Sequence, residues 1–144
     1  MRALGVDLGT RRIGLAISDP TGTLARPLTT LAIGQADAVE QVTREVARLA
    51  AEEDGLSVIV VGVPTTLEGE PSKGTVRASR FMEALRLRTA IPVVGEDERL
   101  SSHEAEQRLA VRERDWRKRK QKLDAAAAAV FLQDFLDRGQ TESR

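Results

Sequence analysis

An α/β domain on a mixed five-stranded sheet is the fold class this sequence predicts, and three patterns predict it. Two short runs near the start alternate apolar with small or polar residues around a glycine-containing turn, as a β-hairpin does. A later stretch changes to a helical period and is followed by the continuous β-branched run Val58-Ile59-Val60-Val61, expected of a strand buried on both faces of a parallel sheet. The order strand, strand, strand, helix, strand, helix, strand, helix, helix then describes an antiparallel meander of three strands, further parallel strands joined through helices, and helices flanking the sheet.

Each element has its own justification. Leu4, Val6 and Leu8 alternate with Gly5 and Asp7, and after Gly9-Thr10-Arg11-Arg12 the residues Ile13, Leu15 and Ile17 alternate with Gly14, Ala16 and Ser18. Asp19-Pro20-Thr21-Gly22 forms a further turn, and residues 27–33 supply the third strand. From Asp37, Val39, Val42, Val46 and Leu49 repeat at helical spacing up to Gly55. Pro64 ends the β-branched strand. Residues 65–74, with Gly69, Pro71, Ser72 and Gly74, read as a loop that can act as a lid or as an ordinary surface connection, ahead of a helix through Phe81, Leu85 and Leu87. Residues 91–96 form a short strand. Ser101-Ser102-His103-Glu104 can cap a helix to about Arg112, and Lys122 or Leu123 opens a last helix ending near Gly139.

Composition narrows the chemistry. The 144 residues carry 22 Lys+Arg and 22 Asp+Glu, with one His, no Cys and a 41% hydrophobic content. That is one domain, residues 1–139, followed by a disordered tail over 140–144. A domain near this length buries roughly 70% of the surface of its extended chain and needs no disulfide or zinc. No apolar stretch approaches the roughly 20 residues of a membrane span, and Asp7 comes too early for a signal peptide, so a cytoplasmic protein is expected. The lack of Cys removes thiolate nucleophiles and Cys-ligated zinc; His103 alone builds no multi-histidine metal site. Carboxylates, hydroxyls and a bound metal remain.

Three acids stand at element ends. Asp7 lies on the face of its strand opposite Leu4, Val6 and Leu8, where a carboxylate in a central strand needs a partner: a metal, a phosphate held with it, or nearby backbone N–H groups. Asp97-Glu98-Arg99 follows a strand, at the carboxyl edge where open α/β sheets place their sites, although a solvated charged turn reads the same way. Asp124 shares a helical stripe with Ala127, Ala128, Phe131 and Phe135, so it either points at the strand ends or caps its helix.

Charge is unevenly spread. Arg108, Arg112, Arg114, Arg117, Lys118, Arg119, Lys120 and Lys122 face only Glu113 and Asp115 in one tract, with Trp116 in its midst. Such a tract suits a polyanion, the indole stacking on a base, and it leads straight to Asp124; a solvated linker is the alternative.

The blocks Gly5-Val6-Asp7-Leu8-Gly9-Thr10-Arg11-Arg12-Ile13-Gly14-Leu15-Ala16-Ile17-Ser18-Asp19, Val60-Val61-Gly62-Val63-Pro64, Asp97-Glu98-Arg99-Leu100-Ser101-Ser102 and Lys122-Leu123-Asp124-Ala125-Ala126-Ala127-Ala128 together resemble the YqgF/RuvX family of resolvase-like nucleases. The resemblance spans nearly the whole chain. It implies a ribonuclease H-like fold and an enzyme that hydrolyses nucleic-acid phosphodiesters, with members implicated in maturing the 5′ end of pre-16S rRNA and in acting on branched DNA. Matched residue by residue, it makes Asp7, Glu98 and Asp124 the catalytic metal ligands, with Asp97 the rival of Glu98. Hard carboxylate oxygens suit Mg²⁺ or Mn²⁺, and two such ions about 3.5–4 Å apart can activate water and stabilise the leaving oxygen. Nucleic-acid contacts are then expected from Thr10, Arg11, Arg12, Arg99, Arg114, Trp116, Arg117, Lys118, Arg119 and Lys120. An RNA precursor is the favoured partner, branched DNA the next, and the protein is a monomer or a homodimer. Two other classes share parts of this pattern: ATP-binding folds of the actin, Hsp70 and sugar-kinase type, which need two such domains, and a non-catalytic RNA-binding ribosome assembly factor.

Overall fold

The computed structural model describes residues 1–34, 37–64, 73–97 and 116–142, with side chains of the last segment described from 124 to 139. Five strands form one sheet: β1 (Ala3–Leu8), β2 (Arg12–Ser18), β3 (Ala25–Ala32), β4 (Val58–Val63) and β5 (Val93–Asp97). Three helices are described, α1 (Ala38–Ala50), α2 (Lys73–Arg86) and α3 (Trp116–Glu142). The strand order is β3-β2-β1-β4-β5, with β2 antiparallel to both β1 and β3, and β4 parallel to both β1 and β5. The mixed sheet with its meander is therefore present, and β1 is its middle strand. The helix expected near 101–112 and residues 65–72 of the expected loop lie outside the described residues, whereas Lys73 and Gly74, assigned to that loop, are the first residues of α2.

Side-chain alternation divides the sheet into two apolar layers. Leu4, Val6, Ile13, Leu15, Ile17, Ile59 and Val61 pack with Val42, Val46 and Leu49 of α1 and Phe81, Met82 and Leu85 of α2. On the other face Ala3, Ala16 and Val60 meet Ala128, Phe131, Leu132 and Leu136 of α3. Each fully buried leucine or phenylalanine contributes roughly 1.5–3 kcal/mol of transfer free energy. The two layers explain why β4 is apolar at successive positions: it is covered on both faces.

Local chemistry sets the boundaries. Asp37 caps α1, its Oδ1 accepting from Glu40 N at 2.9 Å; the helix ends at Ala50, short of the expected Gly55, which at φ +63° turns the chain four residues beyond Ala51. Strand β3 starts two residues before its expected limit and carries an extra residue, Leu28, between the pairs Ala16 with Pro27 and Leu15 with Thr29. Pro27 is tolerated because β3 is an edge strand. Helix α2 ends at Arg86, and Leu87 is 89% exposed, so Leu87 does not belong to the apolar stripe that the spacing assigns it.

Helix α3 departs most from the sequence expectation. It opens at Trp116 rather than at Lys122 or Leu123, so the residues from Trp116 to Lys122 are its first turns. It also continues through Glu142, making residues 140–142 helical rather than part of a tail, since Gly139 has no left-handed backbone to end it. Among the described residues no helix is long and apolar enough to cross a membrane.

The seat of α3 is built from glycine. A Cβ placed on Gly14 would lie 2.1 Å from the Asp124 carbonyl oxygen and 2.6 Å from Ala125 N, and one on Gly5 would lie 3.2 Å from the Ala128 carbonyl oxygen. Only a residue without a side chain lets the helix backbone approach β2 this closely. Gly14→Ala is therefore expected to lower stability by at least about 3 kcal/mol in urea denaturation, since backbone on both sides must separate. Gly139→Ala, where an added Cβ meets nothing within 4 Å, is expected to raise it by about 0.5–1 kcal/mol.

Candidate metal and nucleic-acid site

Asp7 sits near the carboxyl end of the central strand. It shares the alternation of Ala3 and Gly5, which puts it on the α3 side of the sheet, and its partner across the ladder is Gly14. The turn after it is closed by Gly9 N donating to the Arg12 carbonyl at 2.9 Å. From the other side of the sheet Arg77 of α2 donates through Nη2 to the Gly9 carbonyl at 2.6 Å. The strand end carrying Asp7 is thus tied to elements on both faces.

Asp124 comes from a residue far along the chain and arrives beside it. The Asp124 backbone lies against Gly14, the ladder partner of Asp7, so the two acids adjoin through a single glycine. Because α3 begins at Trp116, Asp124 lies well inside the helix and does not cap it. Its Oδ2 accepts from Arg12 Nε at 2.9 Å, with the two side chains 24% and 29% exposed. Arg12, expected to contact nucleic acid, is therefore also the counter-ion of a candidate metal ligand. Two further contacts hold the helix: Gln133 accepts from Ala25 N and donates to the Thr23 carbonyl, both at 2.9 Å, and Arg138 pairs with Glu96.

The end of β5 separates two of the acids there. Val94 belongs to the α3 layer, as does the buried Glu96 with its Arg138 partner, whereas Val93 packs in the α1–α2 layer and Gly95 faces Met82 of α2. Asp97 pairs with Val63 of the α1–α2 layer, so alternation directs it away from Asp7 and Asp124. Asp97 is the last residue of β5 rather than the first after it. Sequence reasoning did not single out Glu96. The signal was available, because Val94 and Glu96 occupy alternate positions of one strand.

The other expected residues divide into two groups. Thr10 and Arg11 are exposed in the turn after Asp7. Glu98, Arg99 and Arg114 lie outside the described residues, as do the side chains of Trp116, Arg117, Lys118, Arg119 and Lys120, whose backbone forms the start of α3. Among the described residues no three His, Cys, Asp or Glu side chains cluster as a metal site. The two acids that adjoin, Asp7 and Asp124, offer hard oxygen donors of the kind a divalent cation takes.

A middle strand ending in a carboxylate, an antiparallel meander on one side, parallel strands on the other, and a helix bringing a second carboxylate to the same edge define a protein of the ribonuclease H-like class. The comparisons with known proteins agree and are narrower: the chain belongs to the RuvX family, whose model, described as Holliday junction resolvase, matches residues 1–138. A protein of Chloroflexus aggregans provisionally named pre-16S rRNA nuclease is 42% identical over 134 residues, covering 93% of this chain and 92% of the relative. One of the same name from Geobacillus kaustophilus is 40% identical over 139 residues, covering 95% and 98%. Among solved structures, Thermus thermophilus RuvC in complex with a Holliday junction substrate superposes with a TM-score of 0.55 at 16% identity, covering 98% of this chain and 97% of that one. The yeast mitochondrial Holliday junction resolvase gives 0.53 at 11%, covering 98% and 80%. At these identities the structural likeness speaks for the fold.

Two outcomes follow from the ion pairs. In a double-mutant cycle, Arg12→Ala and Asp124→Asn are expected to show a coupling on the order of 1 kcal/mol that shrinks as salt is raised. Burial pushes the Glu96 carboxyl above the usual range, with Arg138 opposing the shift. A raised acid favours its protonated form in the folded state. Its contribution is therefore complete below the ordinary glutamate value of about 4.3 and is lost as pH rises through the shifted value. Glu96→Gln should flatten that decline in a pH series of denaturation midpoints.

Proposed function

We propose that this chain is a metal-dependent nuclease that hydrolyses phosphodiester bonds in the 5′ region of pre-16S rRNA. The observation that carries the reading is the meeting of Asp7 and Asp124 at Gly14: the ladder pairs Asp7 with this glycine and the Asp124 backbone lies against it, so two acids from distant parts of the chain border one residue near the carboxyl end of the central strand. Membership of a resolvase family and the names of the relatives support the class of reaction and the choice of RNA.

Asp7, Glu98 and Asp124 would hold the cation, Mg²⁺ or Mn²⁺. The alternation that turns Asp97 towards the α1–α2 layer favours Glu98 over its neighbour as the third ligand. When bound, the cation supplies Lewis-acid polarisation of the phosphate and a more acidic water. The protein's own part is mainly electrostatic. Clustered carboxylates repel a polyanion, so cations must stand beside them. Arg12 supplies one at Asp124, and the start of α3 supplies Arg117, Lys118, Arg119 and Lys120 within about 12 Å of helix axis before that acid. Thr10, Arg11, Arg99, Arg114 and Trp116 complete the contacts proposed for the nucleic acid. We place such an enzyme in the cytoplasm, where cutting a single strand needs one site, which a monomer or a homodimer supplies.

Branched DNA is the second reading, favoured by the description of the family as Holliday junction resolvase. Symmetric cutting of a junction requires a homodimer, so the two readings differ in what they require of assembly as well as in substrate.

The deciding experiment compares a precursor rRNA fragment, unrelated single-stranded RNA and a four-way DNA junction, each with Mg²⁺, Mn²⁺ or EDTA. Metal-dependent cutting of the precursor is expected, reduced at least about a hundredfold in Asp7→Asn, Glu98→Gln and Asp124→Asn and retained in Asp97→Asn. Cutting confined to the junction selects the second reading, and binding without cutting of any substrate selects an assembly factor. Asp7→Asn is also expected to melt at the wild-type temperature or above, because it removes one of two adjoining like charges. A clear drop would make Asp7 a structural residue.

A further inference from the structure

We propose that the groove between α1 and α2, on the face of the sheet opposite α3, is a second phosphate-binding subsite for the nucleic-acid backbone. The inference rests on the nucleic-acid reading above and extends it to a surface that no motif marked.

The groove is an open cleft of about 390 Å³ floored by Leu8, Val39 and Phe81 and rimmed by Arg77, Arg80 and Arg88. One acid, Asp37, also lines it, and that carboxylate already accepts from Glu40 N as the α1 cap. The arginines of α1 and those of the groove differ in how they are satisfied. On α1, Arg44 pairs with Glu40 at 2.6 Å, and Arg48 pairs with Glu45 and Glu52 at 2.8 and 3.2 Å. Among the described residues, Arg80 and Arg88 have no carboxylate partner at all, and Arg77 is bound to a neutral carbonyl. Guanidinium groups stay charged at any physiological pH, so the groove presents a fixed positive field for a phosphate.

Position ties this field to the candidate site. Arg77 reaches the Gly9 carbonyl, in the turn two residues beyond Asp7, and Leu8 forms part of the groove floor. A strand lying at the carboxylates on the α3 side therefore meets the groove by crossing the β1–β2 turn, with exposed Thr10 and Arg11 on the way. Among the described residues the rim offers guanidinium groups and no aromatic or amide side chain, and the contact we propose for them is with phosphate.

The test is equilibrium binding of fluorescent single-stranded RNA and DNA of about 16 nucleotides, in EDTA so that nothing is cut, across a salt series. The variant is Arg80→Ala/Arg88→Ala, which leaves Arg77 and the turn in place. Two lost phosphate contacts should make the slope of log K against log salt shallower by about 1.4 and weaken binding roughly tenfold at low salt, on RNA and DNA alike. The control, Arg44→Ala/Arg48→Ala, removes the same charge from paired positions and should change neither. An unchanged slope in the groove variant, or an equal change in the control, overturns the inference. Failure of the wild-type protein to bind either strand overturns it together with the nucleic-acid reading, whereas binding without cleavage in metal overturns only the nuclease.

Discussion

The contact of one helix backbone with two glycines organises the candidate site. Helix α3 approaches β2 at Gly14 more closely than any side chain would allow and packs tightly on β1 at Gly5, where a Cβ would fit only if its neighbours gave by a few tenths of an ångström; the alanines from Ala125 to Ala129 keep its own side of the contact thin. Packing at that distance has little slack. The position of Asp124 along the sheet is consequently set by backbone against backbone rather than by a flexible side chain. Gln133 against β3 and Arg138 against β5 hold the helix further along, so its angle across the sheet is specified as well as its height.

That seating has an electrostatic cost, which arginine offsets. Asp7 and Asp124 are like charges on either side of Gly14, and Glu96 is a buried acid on the same face. Arg12 answers Asp124 and Arg138 answers Glu96, so the metal-free protein carries its own counter-charges. The Arg12 pair is partly solvated and its energetic value is modest; its importance lies in where it puts a guanidinium. A cation beside the carboxylates lets a phosphate approach a surface that would otherwise repel it.

The two faces of the sheet thus carry different charge logic. Acids with paired arginines occupy the α3 face, and α1 is laced by ion pairs within its own turns. Arg80 and Arg88 of the α1–α2 groove have no carboxylate partner among the described residues, and the β1–β2 turn, which Arg77 touches at Gly9, links the groove to Asp7. A long polyanion contacting both faces would gain affinity from the groove and chemistry from the opposite edge.

The sequence by itself determined the strands, the first helix and the three acids worth asking about, because each is a pattern of near neighbours. Alternation at Leu4 to Ile17, the cap at Asp37 and the β-branched run at Val58 depend on residues within a few positions of one another. Element ends were less legible. The pattern puts the ends of the last helix at Lys122 or Leu123 and near Gly139, yet α3 runs from Trp116 through Glu142, since a glycine costs a long helix only about 1 kcal/mol. The face that Asp97 takes is set by the register of β5 with β4 and not by any local pattern, and Glu98 lies outside the described residues. What the tertiary structure alone decided is which distant groups meet: Arg12 with Asp124, 112 residues apart, Gly14 beneath the helix, Arg138 with Glu96, and the arginine groove beside the turn. These depend on how whole layers pack, and packing is a property of shape and volume summed over the chain, which no local period records.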